Sequence, residues 1–170
     1  MNTYFNTMPH LKIVTQEELK ERMAFFRNAN KPVLDSLKIV FTNGCFDLLH
    51  RGHVETLTKA RDMGALLIVG LNSDESVRRL KGDSRPISNQ ENRAMVLSAF
   101  SCVDYVVIFD EDTPLNLIKA IKPDILVKGG DYKHSDIVGA DFVESYGGKV
   151  ETIPLVQGES TSNLVKRIKG

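Results

Sequence analysis

Apolar positions along this chain gather into short runs, and between the runs they recur every three or four residues, so strand-like and helix-like patterns alternate from end to end. Apolar runs over residues 38–42, 65–71, 104–109, 125–127 and 149–154 predict five strands. The stretch Ala65-Leu66-Leu67-Ile68-Val69-Gly70-Leu71 has no polar position and reads as a strand covered on both faces. Helical spacing predicts helices over 54–63, through Leu57 and Ala60, and over 89–101, through Ala94 and Leu97. A short helix capped by Asn72 or Ser73 runs through Leu80, and another covers 113–121 with Pro114 at its first position. Two more are expected over 137–146 and 163–168. Ahead of the first strand, Thr15 and Glu18 have capping-box spacing, which predicts a helix to about Ala29 with an apolar stripe of Leu19, Met23 and Phe26. Lys31-Pro32 should end that helix, and residues 1–9 are expected to fray.

Strand alternating with helix predicts an α/β fold: one domain over 38–170, a five-stranded parallel sheet with helices on both faces, preceded by an N-terminal extension, 1–37, with one helix. Ligands of such sheets collect beyond the carboxyl ends of the strands, at the point where strand order reverses. The segments around His50, Asp74, Lys128 and Ser160 should share that edge.

Composition narrows the function classes. A chain of 170 residues, 42% hydrophobic and 26% charged, suits one soluble domain. With 22 basic and 22 acidic residues the net charge is zero, which argues against a nucleic-acid-binding face and leaves room for a local basic cleft. No apolar segment is long enough to insert in a membrane and residues 1–9 lack a signal-peptide core, so a cytoplasmic location is expected. Cys45 and Cys102 form no C-x-x-C pair. Cys45 lies near enough to the candidate chemistry to be a nucleophile, although a structural role is expected, and Cys102 sits among apolar neighbours.

That chemistry is concentrated where the first strand meets its helix. After Val40-Phe41-Thr42 come Asn43-Gly44-Cys45-Phe46-Asp47-Leu48-Leu49, then His50-Arg51-Gly52-His53. A helix start presents unpaired N–H groups to an anion, Gly52 lets backbone approach it, and imidazoles donate hydrogen bonds to phosphoryl oxygens. The pattern points to a nucleotide phosphate site. Zinc fits poorly, since the histidines lack the H-E-x-x-H form and clustered cysteines, and no metal ligands are assigned. Ordinary capping or surface roles for both histidines stay open. Residues 81–86 are polar and turn-rich and are expected to form a mobile loop bearing Lys81. Lys128-Gly129-Gly130-Asp131 follows a strand, and Ser160-Thr161-Ser162 precedes the last helix, where Thr161 or Ser162 would also serve as a plain N-cap.

Together, the run from Phe41 to His53, Asn72-Ser73-Asp74, Arg85-Pro86-Ile87, Asn92-Arg93, Lys128-Gly129-Gly130-Asp131-Tyr132 and Ser160-Thr161-Ser162-Asn163 closely resemble the H-x-G-H nucleotidyltransferases of Rossmann-like fold. Within that superfamily the chain is similar to the bacterial adenylyltransferases that act on D-glycero-β-D-manno-heptose 1-phosphate, found alone or fused to a sugar kinase. The resemblance implies ATP and heptose 1-phosphate as substrates, Mg²⁺ carried mainly by the substrate phosphates, a place in ADP-heptose and lipopolysaccharide synthesis, and a homodimer as one expectation. It implies His50, His53, Lys81 and Arg93 as catalytic residues. It places the nucleotide against Thr42, Asn43, Gly44, Cys45, Phe46, Gly52, Lys128, Gly129, Asp131, Ser160, Thr161 and Ser162. The sugar phosphate would meet Asp47, Asn72, Asp74 and Lys81. Val156-Gln157-Gly158-Glu159 departs from the arginine-bearing segment of some cytidylyltransferase relatives. CTP with glycerol phosphate, and a nucleotide-binding protein without catalysis, remain alternatives.

Overall fold

The computed structural model describes residues 8–29, 37–130, 132–156 and 158–169. The expected fraying of residues 1–7, the Lys31-Pro32 helix stop and the nucleotide-binding role of Asp131 lie outside the described residues.

Among these residues six parallel strands form one sheet, β1 (Ile13–Val14), β2 (Ile39–Gly44), β3 (Leu66–Asn72), β4 (Tyr105–Phe109), β5 (Ile125–Gly129) and β6 (Lys149–Ile153), in the spatial order β1-β4-β3-β2-β5-β6. Five strands were expected, and the sixth is β1. Two residues are too few to show the alternation that reveals a strand, and Ile13–Val14 is held by pairing with Val106 and Val107.

Among the described residues seven α-helices accompany the strands, six between them and one after the last: α1 (Gln16–Ala29), α2 (Arg51–Asp62), α3 (Asp74–Lys81), α4 (Gln90–Ser98), α5 (Leu115–Ile121), α6 (Ala140–Ser145) and α7 (Thr161–Lys169). Their starts follow sequence chemistry. Thr15 and Glu18 form the expected capping box, with N–H···O distances of 2.8 and 3.1 Å. Ser73 accepts from the Ser76 N–H at 3.0 Å, and Asn89 from the Asn92 N–H at 2.9 Å. Pro114 stands one position earlier than expected, as the N-cap of α5. Helix α3 runs one residue past Leu80, so Lys81 ends a helix and does not belong to the loop that follows.

Side chains alternate across the strands and divide the core into two layers. Ile39, Phe41, Ile68 and Val107 pack with Leu19, Met23, Leu117, Ile118 and Val143 of α1, α5 and α6. Val40, Leu67, Val69, Leu71 and Val106 pack with Leu57, Ala60, Ala94 and Leu97 of α2 and α4. The apolar stripe of α1 is therefore used inside the chain, with Leu19 and Met23 buried and Phe26 packed beside them. Strand order reverses at β2, which pairs with β3 on one side and β5 on the other. The carboxyl ends of β2 and β5 thus open a crevice at the switch point. Among the described residues no helix is long and apolar enough to cross a membrane.

Candidate active site

At that crevice lies a cleft of about 460 Å³, lined by Thr42 through Asp47, His50, Gly52, His53, Thr56, Lys81, Lys128, Gly129, Tyr132, Leu155 and Glu159 through Ser162. Strand β2 delivers the chain to the cleft floor, and Phe46 then adopts a left-handed backbone, φ 43°. A non-glycine residue pays about 1–2 kcal/mol for this conformation, and the turn brings the chain round to α2. His50 is the N-cap of α2 and His53 lies in its first turn. Their rings sit 3.9 Å apart, and Phe46 packs on His53 at 5.2 Å.

The backbone N–H of His50 donates to His53 Nδ1 at 3.3 Å. An acceptor at Nδ1 leaves the proton of the neutral ring on Nε2, so His53 keeps a donor for a ligand. Burial, with His50 and Lys81 nearby, lowers its pKa to about 4. His53 is accordingly a neutral donor at pH 7. Burial also lowers the pKa of His50, against an opposing pull from Glu159, and His50 Nδ1 is buried without a hydrogen-bond partner. A side chain at position 52 would begin 3.0 Å from the His50 ring, so Gly52 makes room for that imidazole.

Positive potential converges on the cleft from several elements. Lys81 comes from the end of α3 and Lys128 from the end of β5. Lys128 Nζ donates to Asn43 Oδ1 at 2.5 Å, bridging β5 and β2, and burial lowers its pKa to about 8. The starts of α2 and α7 both face the cleft, adding the N–H groups of two helix termini. Ser160 is the N-cap of α7, in place of Thr161 or Ser162: its Oγ accepts from the Asn163 N–H at 3.1 Å. That leaves the Thr161 hydroxyl to donate to the Leu48 carbonyl at 3.2 Å, which ties α7 to the segment before α2.

Other expected site residues are engaged with the protein itself. Asp47 Oδ1 accepts from the N–H groups of Ile87 and Ser88 at 2.8 and 3.0 Å, and Oδ2 accepts from Arg85 Nε at 2.5 Å. These donors outweigh desolvation and lower its pKa. Asn72, Asp74 and Arg93 fall outside the cleft lining. The expectation that Arg93 forks onto phosphate meets a different geometry. Its Nε donates to the Ser88 carbonyl at 2.9 Å, Nη1 to the Cys45 carbonyl at 2.6 Å and Nη2 to Asp74 at 2.7 Å, in a side chain 1% exposed. Asn72 donates to Ser76 Oγ at 3.0 Å. Cys45 is half-buried in the cleft wall, and burial raises the pKa of half-buried Cys102.

Sequence reasoning did not single out Thr56, Tyr132, Leu155 or Glu159 as ligand residues. Thr56 lies one turn after His53 on α2, a helical spacing that was open to inspection, and packs on Gly129. Tyr132 and Leu155 are 51% and 60% exposed, and only the fold brings them to one rim. No group of three His, Cys, Asp or Glu side chains able to hold a metal occurs among the described residues.

Known proteins resemble this chain in sequence and in fold. A protein named bifunctional protein HldE from Syntrophotalea carbinolica is 58% identical over 157 residues, which is 92% of this chain and 31% of that protein. Its namesake from Campylobacter concisus is 53% identical over 169 residues, 99% of this chain and 33% of that one. The chain thus spans about a third of the length of these relatives. A lipopolysaccharide core biosynthesis protein from Thermoplasma volcanium has the same fold, with a TM-score of 0.59 at 24% identity, covering 73% of this chain and all of that one. Pantothenate synthetase from Thermus thermophilus does too, with a TM-score of 0.58 at 17% identity over 93% of this chain and 70% of that one. The cytidylyltransferase-like family model matches residues 41–161, a span that takes in both histidines, Lys128 and the start of α7. The chain belongs to the cytidylyltransferase-like family, and with it to a class of proteins built for nucleotidyl transfer.

Proposed function

We propose that the protein transfers the adenylyl group of ATP to heptose 1-phosphate, forming ADP-heptose and pyrophosphate. The observation that carries the phosphate chemistry is the pair of imidazoles at the start of α2, facing a cleft shared with Lys81, Lys128 and the start of α7. The choice of sugar rests on the motif resemblance and on the relatives named for HldE.

An oxygen of the sugar phosphate attacks the α-phosphorus of ATP, forming a new P–O bond. The bond from that phosphorus to the bridging oxygen of the β-phosphate breaks, and pyrophosphate leaves with the electron pair. A phosphate monoester, with a second pKa of about 6, is already largely ionised near neutrality, so no residue needs to remove a proton. Catalysis is then positioning and charge stabilisation. His53 donates from Nε2 to a phosphoryl oxygen, His50 lies against it, and Lys128 and Lys81 balance the triphosphate. Asp47 and Arg93 are positioning residues, holding residues 45–47 and 85–88 around the cleft. Mg²⁺ carried by ATP would supply countercharge to the phosphates, and Glu159, a cleft carboxylate without the partners that occupy Asp47, would accept hydrogen bonds from the ion's retained waters.

The test is pyrophosphate release with Mg²⁺, each of ATP and CTP, and each of heptose 1-phosphate and glycerol phosphate. Fastest turnover with ATP and heptose 1-phosphate is expected. Faster turnover with CTP and glycerol phosphate would reject the assignment, and ATP binding without pyrophosphate release would favour a non-catalytic protein. His53→Ala should lower kcat at least a hundredfold with a smaller change in ATP affinity, because its hydrogen bond strengthens as charge develops.

A further inference from the structure

A second cleft, about 730 Å³, opens beside the histidine cleft between α7 and the segment joining α3 to α4. The two share Lys81 and Ser162, so a ligand seated in one can reach a ligand in the other. Leu48, Ile87, Val165 and Ile168 make its walls largely apolar, and Arg85 supplies a second cation beside Lys81.

Arg85 differs from Arg93 in how its nitrogens are used. Arg93 spends all three on protein oxygens. Arg85 is anchored to Asp47 through Nε alone, its side chain is 13% exposed, and its Nη2 is buried without a hydrogen-bond partner. A guanidinium is a planar fork matched to an oxyanion, and Nη2, closed off from solvent and unpaired in this structure, is the nitrogen that a rotation of the side chain toward the cleft would bring to one. Asp47 neutralises one charge of the pair, so Lys81 leaves the cleft mouth positive. The apolar walls offer contact to the carbon face of a sugar ring.

We propose that this cleft is the acceptor site, where Arg85 holds the phosphate of the incoming sugar phosphate and Lys81 marks the point at which it meets the α-phosphate of ATP. The inference rests on the nucleotidyl-transfer reading and adds the acceptor's place and its anchoring residue. An acceptor seated here approaches the nucleotide from the α7 side, with its phosphate at the shared boundary and its ring against Val165 and Leu48.

Binding of heptose 1-phosphate, measured by calorimetry on protein saturated with α,β-methylene ATP and Mg²⁺, tests this without turnover. Arg85→Lys keeps a charge for Asp47 and loses the fork, while Val165→Trp fills the cleft from α7 and touches neither Asp47 nor the histidines. Both variants should weaken acceptor binding at least tenfold while leaving the affinity for the ATP analogue within twofold. The acceptor site is overturned if the parent does not bind heptose 1-phosphate, if Val165→Trp binds it normally, or if analogue affinity falls in step with acceptor affinity. A parent that binds both ligands, loses the acceptor on Val165→Trp and still releases no pyrophosphate from ATP would retain the site and refute the catalytic reading alone.

Discussion

His53 carries two features that set its behaviour: a hydrogen bond accepted at Nδ1 and a pKa lowered to about 4. Its neutral, Nε2-protonated form therefore persists as pH falls from 8 to 5, and the imidazole resonances of His53 should show no inflection in that range by NMR. An acid limb of kcat/KM near pH 6 then does not come from His53; the acceptor phosphate, whose loss of its second negative charge weakens the nucleophile, contributes to it, as does His50, whose pKa burial holds below its ordinary value. On the basic side Lys128 is charged below about 8 and neutral above. ATP affinity should fall as pH rises through that value, and Lys128→Arg should abolish the dependence, since guanidinium stays protonated. Arg93 makes the opposite case. Removing a buried cation that serves three oxygens strands Asp74 and two carbonyls, so Arg93→Ala should cost about 3–5 kcal/mol in urea unfolding. Lysine at that position cannot make all three bonds and should recover only part of the loss.

Helix α7 depends on one cap for its start at the cleft. Ser160→Ala removes the bond to the Asn163 N–H, which should cost about 1 kcal/mol and raise amide exchange in the first turn of α7. The two clefts would loosen together along this edge, because α7 borders both. This level of organisation was largely readable in advance. Capping chemistry at Thr15 and Ser73 is local, and so are the apolar spacings at Leu57, Ala60, Ala94 and Leu97, hence the agreement with observed helices. Ser160 was misread because three hydroxyl residues in a row offer three equivalent caps to inspection, and only the bond from Thr161 to Leu48, 113 positions away, separates them. The histidines, Lys128 and the hydroxyl run were visible because each follows a strand or starts a helix. The partners of Arg93 and Arg85 were not: an arginine on an exposed-looking segment reads the same whether its fork meets solvent, protein or ligand.

The sheet binds residues ahead of the expected domain into its core. Strand β1 pairs with β4, and Lys12 Nζ donates to the Phe100 and Val103 carbonyls at 3.0 and 2.8 Å, fastening the segment after α4. From the same stretch Val14, Leu19 and Met23 are at most 5% exposed and pack on β4, α5 and their neighbours. Burying each such side chain contributes about 1.5–3 kcal/mol, so the three amount to about 5–9 kcal/mol. A domain of this size has only about 5–15 kcal/mol of net stability. A chain reduced to residues 38–170 keeps every cleft residue yet exposes Ile118, Ile121, Val107 and Phe109 on the face that α1 covers. We expect it to show no cooperative thermal transition above about 40 °C and to expose apolar surface to a fluorescent dye, whereas a chain beginning at residue 8 should unfold cooperatively. A cooperative transition in 38–170 close to that of the longer chain would make residues 1–37 a dispensable extension, with α1 resting on a core that is complete without it.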